Sequence, residues 1–404
     1  MPEQQRPVAV LAFSGGLDTS FCVAHLREEH GYDVHTVCVD TGGFSADDLR
    51  AIEQRARELG AVHHETIDET EVLYADCLRY LVFGNVLRGN AYPLSVSAER
   101  TTQAVAVARY ALRIGAACIV HGSTGAGNDQ VRFDVAFRIV APDIPVLTPI
   151  RDLRLSRDQE IAFLRAHGVD IEYAKARYSI NQGLWGTTIG GVETLTSDGW
   201  PPDDAFPVPV TREGEEELLL TFTRGELTGV NGARSASSVA AIRDVERIAR
   251  PWGVGRDMHV GDTIVGIKGR VAFDAAAPHV IIKAHHALEK HTLTKEQQRM
   301  KEMAAAQYGT LLHEGLFLEP AARDIESLLA HSQERVTGDV RLRLAPWRFH
   351  VLGVRSPFDL MSSAFGAYGE MNTAWTGDDV RGFARIAAHQ IMMHTVVGRG
   401  GEDA

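Results

Sequence analysis

The stretch AFSGGLDTS, residues 12–20, follows directly on the apolar run VAVL, residues 8–11. A short continuous apolar run suits a strand covered on both faces, as in a parallel sheet. Two glycines and an aspartate set among Ser14, Thr19 and Ser20 then mark the handover from strand to helix. In an open parallel sheet, ligands bind beyond the carboxyl ends of the strands, and the first strand-to-helix turn holds phosphate. Glycines let the backbone come close to an anion, and a helix N-terminus offers unpaired N–H groups with a partial positive charge. The turn therefore reads as a phosphate cradle. It lacks both G-x-x-x-x-G-K-[ST] and G-x-G-x-x-G with an acid further on, so generic γ-phosphate hydrolysis and dinucleotide binding lose ground.

Working outward, FCVAHLREEH reads as a helix closed by Gly31, and DVHTVCVD as a second strand. Ser45 and Asp48 have capping-box spacing ahead of a helix whose apolar stripe is Leu49, Ile52, Ala56 and Leu59, closed by Gly60. AVHHETI is strand-like, two helical stretches run to Ile114, ACIVHG and IPVLTPI are further strands, and Ser156 with Gln159 caps a helix ending at Gly168. This alternation predicts a doubly wound parallel α/β sheet over residues 1–174. From residue 175 to 376 the texture changes: Gly- and Pro-containing loops separate short alternating strands such as LLLTFT and VRLRL from helices such as SSVAAIRDVERIA, which predicts an α+β domain. A final helix within 377–404 places Val380, Phe383, Ala387 and Ile391 on one face.

Composition excludes several classes. A formal charge of −12 argues against a standing affinity for nucleic acid, and no run approaches the length of a membrane span. Cys22, Cys38, Cys77 and Cys118 form no C-x-x-C pair and read as buried thiols of a reducing compartment, and the N-terminus shows no leader pattern, so a cytoplasmic protein is expected. His285, His286 and His291 in AHHALEKH lack metal-ligand spacing and read as a packed or exposed helix face, and EGEEE at 213–217 as a solvated turn.

SGGLDTS resembles the signature of the PP-loop ATP pyrophosphatases, which cut ATP between the α- and β-phosphates and adenylate a carbonyl-type oxygen. HGSTGAGNDQVRF, residues 121–133, is similar to a motif of the argininosuccinate synthase family, and with YPLSVSAER and YSINQGLWG the resemblance spans nearly the full length. It implies that a ureido oxygen of citrulline attacks the α-phosphorus of ATP, and that aspartate then displaces AMP, with no covalent enzyme nucleophile. It also implies the site. Ala12, Ser14, Gly15, Gly16, Asp18, Thr19 and Ser20 would cradle the ATP phosphates, with Val39 near adenine, and Arg100 and Gly122 in the same nucleotide site. Thr124, Asn128 and Asp129 would hold aspartate; Tyr92, Ser97, Asn128, Arg132, Ser179 and Thr188 would hold citrulline; Asp18 and Asp129 would act by positioning. Magnesium, with no residue named as its ligand, and a homotetramer joined through the second domain and the last helix are implied as well.

Three positions depart from the family pattern: Val96 stands where a Thr is usual, Gly261 where a Glu is, and Phe273 where a Tyr is. Loss of an acid beside the α-amino group opens the alternative of an Nα-acylated citrulline, and the altered pocket also admits a non-catalytic nucleotide-binding relative. A tRNA-modifying PP-loop enzyme would want a basic face and a relay cysteine, and an amidotransferase a glutaminase cysteine after Met1; the chain offers neither.

Overall fold

The computed structural model describes residues 6–169, 177–362, 366, 369, 370 and 374–402. The chain divides into a compact unit ending at Ser356 and a second one from Pro357. The expected domain boundary between 174 and 175 lies outside the described residues.

The first unit opens with β1 (Val8–Ala12), α1 (Leu17–Glu28), β2 (Asp33–Asp40), α2 (Ala46–Glu58) and β3 (His63–Asp68). A broken helical stretch follows, α3 (Thr70–Leu73), a π turn over Tyr74–Leu78, and α4 (Arg79–Phe83), then the long α5 (Ser95–Ile114), β4 (Cys118–Val120) and α6 (Asp129–Val140). The half closes with β5 (Val146–Leu147), α7 (Pro149–Leu153) and α8 (Arg157–Ala166). The five strands form one parallel sheet in the order β3-β2-β1-β4-β5, as the alternating pattern predicts. One face is covered by α1 and α8, around Phe21, Leu26, Ile52 and Leu164; the other by α5 and α6, around Val10, Val107, Phe133 and Phe137. Both anticipated capping boxes form, Ser45 with Asp48 and Ser156 with Gln159, each fixing where a helix starts.

The remainder of this unit carries two antiparallel sheets. The strands β6 (Ser179–Gly183), β7 (Gly186–Gly190), β8 (Glu216–Thr223), β9 (Glu226–Val230), β10 (Ala233–Arg234), β11 (Arg256–Asp262), β12 (Lys268–Asp274), β13 (Gly338–Ala345) and β14 (Arg348–Arg355) pair in the orders β10-β9-β8-β13-β14 and β11-β12-β7-β6. Between them run α9 (Ser238–Ala249), α10 (Ala276–Thr292), α11 (Lys295–His313) and α12 (Pro320–Ser332). Leu218, Leu220 and Phe222 alternate inward on β8 as Val340, Leu342 and Leu344 do on β13, and both sets join a core that also takes Leu73 to Ala98 from the first half. The acidic stretch 213–217 is only partly a turn: β8 begins at Glu216, and Arg343 on β13 pairs with Glu215 and Glu217.

In the second unit, α13 (Gly377–Glu402) fills most of the 377–404 segment in which a helix is expected. Thr376 and Asp379 exchange hydrogen bonds of 2.7–3.3 Å that cap its start, and Val380, Phe383, Ala387 and Ile391 are exposed. No helix among the described residues is long and apolar enough to cross a membrane.

Candidate functional site

The sheet order reverses direction at β1, whose neighbours are β2 on one side and β4 on the other. The connections leaving β1 and β4 therefore diverge and leave a crevice at the carboxyl ends of these strands. Both singled-out motifs lie there, one after each strand. Gly15 turns the chain at φ +74°, and α1 starts at Leu17, so Asp18, Thr19 and Ser20 belong to its first turn rather than to a loop. Gly16 occupies the cap position and has no side chain to cap the amides that follow it, which leaves them available to an anion. Ser14 Oγ stands 3.4 Å from both the Gly16 amide and Thr19 Oγ1. Across the crevice, a Cβ built on Gly122 would lie 3.2 Å from Thr19 Cγ2 and 3.4 Å from its backbone nitrogen, so glycine lets the second motif close against the first.

Two chambers open from this crevice. The first, about 560 Å³, is lined by Ala12, Ser14, Gly16, Asp18 and Thr19 and by the apolar Val39 and Phe44. Arg100 lines its wall. The second, about 540 Å³, is lined by Tyr92, Ser97, Thr124, Asn128, Arg132 and Thr188. Asp18, Gly122, Asp129 and Ser179 border both. Of the residues anticipated from sequence, Gly15 and Ser20 border neither: the space beside Gly15 is closed by Ile52, and Ser20 is fully buried with its hydroxyl unpartnered.

Asp129 stands at the shared wall. Arg100 Nε donates to it at 3.0 Å and Arg132 at 2.9 Å; burial pulls its carboxyl up, but the two guanidiniums outweigh burial and hold it below the usual carboxylate range. Arg132, 4% exposed, also donates to Ser97 Oγ at 2.9 Å and twice to the His313 carbonyl, at 2.9 and 3.2 Å. Most of its five N–H groups are thus committed, and a bidentate grip on a substrate carboxylate requires Arg132 to release protein partners. The preceding loop is pinned by Gln130, which donates to the Gly125 and Gly127 carbonyls, and by Asn128, which accepts from the Ile264 amide at 2.8 Å. Buried His121 accepts from the Ser123 amide and donates to Asp134, so its ring orients the start of the same loop.

Several contributors have no motif to announce them. Glu160 on α8 is 4% exposed and faces Asp18; burial first, then the charge and hydrogen bond of Asp18, push its carboxyl up to about 7. Glu99, beside Arg100, is also buried at the first chamber. His259 stacks on Tyr92 with ring centroids 5.5 Å apart, and a Cβ on Gly261 would fall 2.5 Å from His259 Nε2. The two lie two residues apart on one face of β11, so the glycine leaves room for the imidazole. Val96 borders the second chamber, whereas Phe273 is fully buried behind Tyr92, 5.7 Å between centroids. Among the described residues no cluster of three or more His, Cys, Asp or Glu is placed to hold a metal.

Residues 8–170 match the model of the arginosuccinate synthase N-terminal HUP domain, and residues 178–394 that of the arginosuccinate synthase C-terminal domain. The chain belongs to the argininosuccinate synthase family. It is 36% identical over 366 residues to the argininosuccinate synthase of Methanocaldococcus jannaschii, covering 90% of this chain and 92% of that one. The argininosuccinate synthase of Dictyoglomus turgidum is 33% identical over 404 residues (99% and 100%), and that of Xylella fastidiosa 35% over 403 (96% and 98%). Argininosuccinate synthases are ligases that form a C–N bond and take ATP as a substrate, which agrees with a HUP domain whose first turn is built for phosphate.

Proposed function

We propose that this chain condenses citrulline with aspartate, ATP being cleaved to AMP and pyrophosphate. One observation carries the reading: a chamber on the phosphate-type turn and a second one lined by Tyr92, Ser97, Asn128, Arg132 and Thr188 meet at Asp18, Gly122, Asp129 and Ser179. ATP lies in the first chamber with its phosphates on Ser14–Thr19 and its base toward Val39. Citrulline and aspartate lie in the second, citrulline near Tyr92, Ser97, Arg132, Ser179 and Thr188, aspartate near Thr124, Asn128 and Asp129. The ureido oxygen attacks the α-phosphorus and pyrophosphate leaves; the amine of aspartate attacks the activated carbon, loses a proton, and AMP departs with the former ureido oxygen. No side chain forms a bond in either step, so positioning and the fixed charges around Asp129 supply the rate.

Magnesium would arrive with the triphosphate and neutralise the charge of the departing pyrophosphate. Asp18 would be the residue to hold it: it borders both chambers, whereas Asp129 is already held by Arg100 and Arg132. Citrulline whose ureido oxygen is isotopically labelled should give labelled AMP, with pyrophosphate released only when citrulline is present. Unlabelled AMP, or release that ignores citrulline, refutes the reading.

The position of His259 favours a second reading at the same site. An imidazole backed by Gly261, and kept neutral by burial and by Arg88, stands beside Tyr92 where an acid would steady an ammonium group. An Nα-acylated citrulline, uncharged at that nitrogen, suits this wall. Comparing kcat/KM for citrulline and Nα-acetylcitrulline decides between them.

A homotetramer of the reducing cytoplasm completes the proposal. The exposed apolar face of α13 and four buried free cysteines support it. Light scattering should then give a mass four times the chain's 44.1 kDa.

A further inference from the structure

Glu99 is the one acid at the nucleotide chamber that the reaction above does not use. It lies near the start of α5, is 2% exposed, and its Oε1 has no hydrogen-bond partner. The causes are visible around it. On one side Gly183 of β6 packs its Cα against Oε1 so closely that no side chain could stand there, and a C–H is a poor substitute for a donor. The neighbouring cation is occupied elsewhere, since Arg100 donates to Asp129, to Gln103 Oε1 and to Asn181 Oδ1 at 2.9–3.0 Å. Burial consequently pushes the Glu99 carboxyl up to about 7. A buried acceptor without a donor is costly and calls for an explanation, a bound ligand being one.

Its position says what. Glu99 borders the first chamber and not the second, so an amino-acid substrate is not the missing donor. One helical turn on, Gln103 donates to the carbonyl of Val39, the residue assigned to the base. Immediately next to Glu99, Arg100 reaches Asp129, which borders the phosphate turn. Glu99 therefore stands between base and phosphates, at the level of the sugar. The geometry points to Glu99 as the residue that selects ribonucleotides, its carboxylate accepting a hydrogen bond from a ribose hydroxyl of ATP. This rests on the reading of the first chamber as the ATP site.

The test is calorimetric binding of ATP, 2′-deoxy-ATP and 3′-deoxy-ATP to the full chain, repeated with Glu99→Gln and Glu99→Ala. The wild type should bind one deoxy analogue about 10- to 100-fold more weakly than ATP, the range expected when a hydrogen bond to a charged group is lost. Glu99→Ala should bind ATP and that analogue within about 3-fold of each other, and Glu99→Gln, whose amide oxygen still accepts, should show a reduced preference. The preference should also grow between pH 6 and pH 8 as the carboxyl ionises, and be flat with pH in Glu99→Gln. Equal binding of all three nucleotides by the wild type overturns the inference without recourse to any variant. So does a preference that survives in Glu99→Ala, or one that moves to inosine triphosphate against ATP, which would assign Glu99 to the base. Should ATP itself fail to bind, the reading of the chamber falls first and the inference with it.

Discussion

Two buried charge clusters in the first unit have opposite characters. Around Glu289, in the core of the second half, Lys301 Nζ approaches at 2.8 Å and Gln333 at 2.9 Å, while Lys301 also donates to the Phe83 carbonyl at 2.7 Å. His285 is held between Asn85 and Gln333, and every one of these groups is closed off from the chambers. Around Asp129 the pairing is as tight, but the cluster borders both chambers, and its neighbour Glu99 keeps an oxygen unpartnered. A buried cluster that satisfies its own members holds structure together; one with capacity left over is waiting for a ligand.

That contrast can be broken experimentally. Lys301→Met should cost the most, about 3–5 kcal/mol of unfolding free energy by chemical denaturation, because Glu289 is left as an uncompensated buried charge. The kcat/KM of the molecules that remain folded should hardly change. Asp129→Asn should do the reverse: kcat/KM should fall by about 10²–10³-fold, as when a preorganised charge is lost from an active site, with less loss of stability than Lys301→Met. If Asp129→Asn proves the more destabilising of the two, the distinction fails.

A smaller effect comes from His313, whose ring donates to the Asp262 carbonyl at 3.1 Å and is lowered to about 4, by burial first and then by Arg88 and Arg132. Its folded value lies below the ordinary one near 6.5, so on acidification the unfolded chain takes up a proton before the folded one does. Its contribution is complete above about pH 6.5 and declines toward pH 4, amounting to about 2 kcal/mol between pH 7 and pH 5. Denaturation midpoints measured across that range should show the slope in the wild type and a weaker one in His313→Asn. The smallest effect belongs to a site outside both clusters: Ser45→Ala, which removes a capping box, should lower stability by about 1 kcal/mol and leave catalysis alone.

How far the sequence could be read follows from the same physics. The parallel sheet was legible because its signals are local: apolar runs of strand length, and the caps at Ser45 and Ser156. The phosphate turn was legible for the same reason, although the helix begins at Leu17 directly after the glycines, earlier than the apolar pattern of FCVAHL suggests. Glu99 was not. Neighbouring residues on a helix face different surroundings, so the motif reached Arg100 and missed the acid beside it. What leaves Glu99 unpaired is Gly183, on a strand far along the chain. His285 lay within a segment read as either packed or exposed, and only the approach of Asn85 and Gln333 from distant segments shows it to be the former. The commitment of Arg132 to Ser97 and to the His313 carbonyl is likewise a tertiary fact that no spacing encodes.

The imidazole lying over Gly261 has an evolutionary corollary. Position 261 can acquire a side chain only after the ring at 259 has turned away or been replaced, so the two sites are inherited as a linked pair. A side chain introduced at 261 should therefore be accompanied by a new rotamer of His259 or by its replacement.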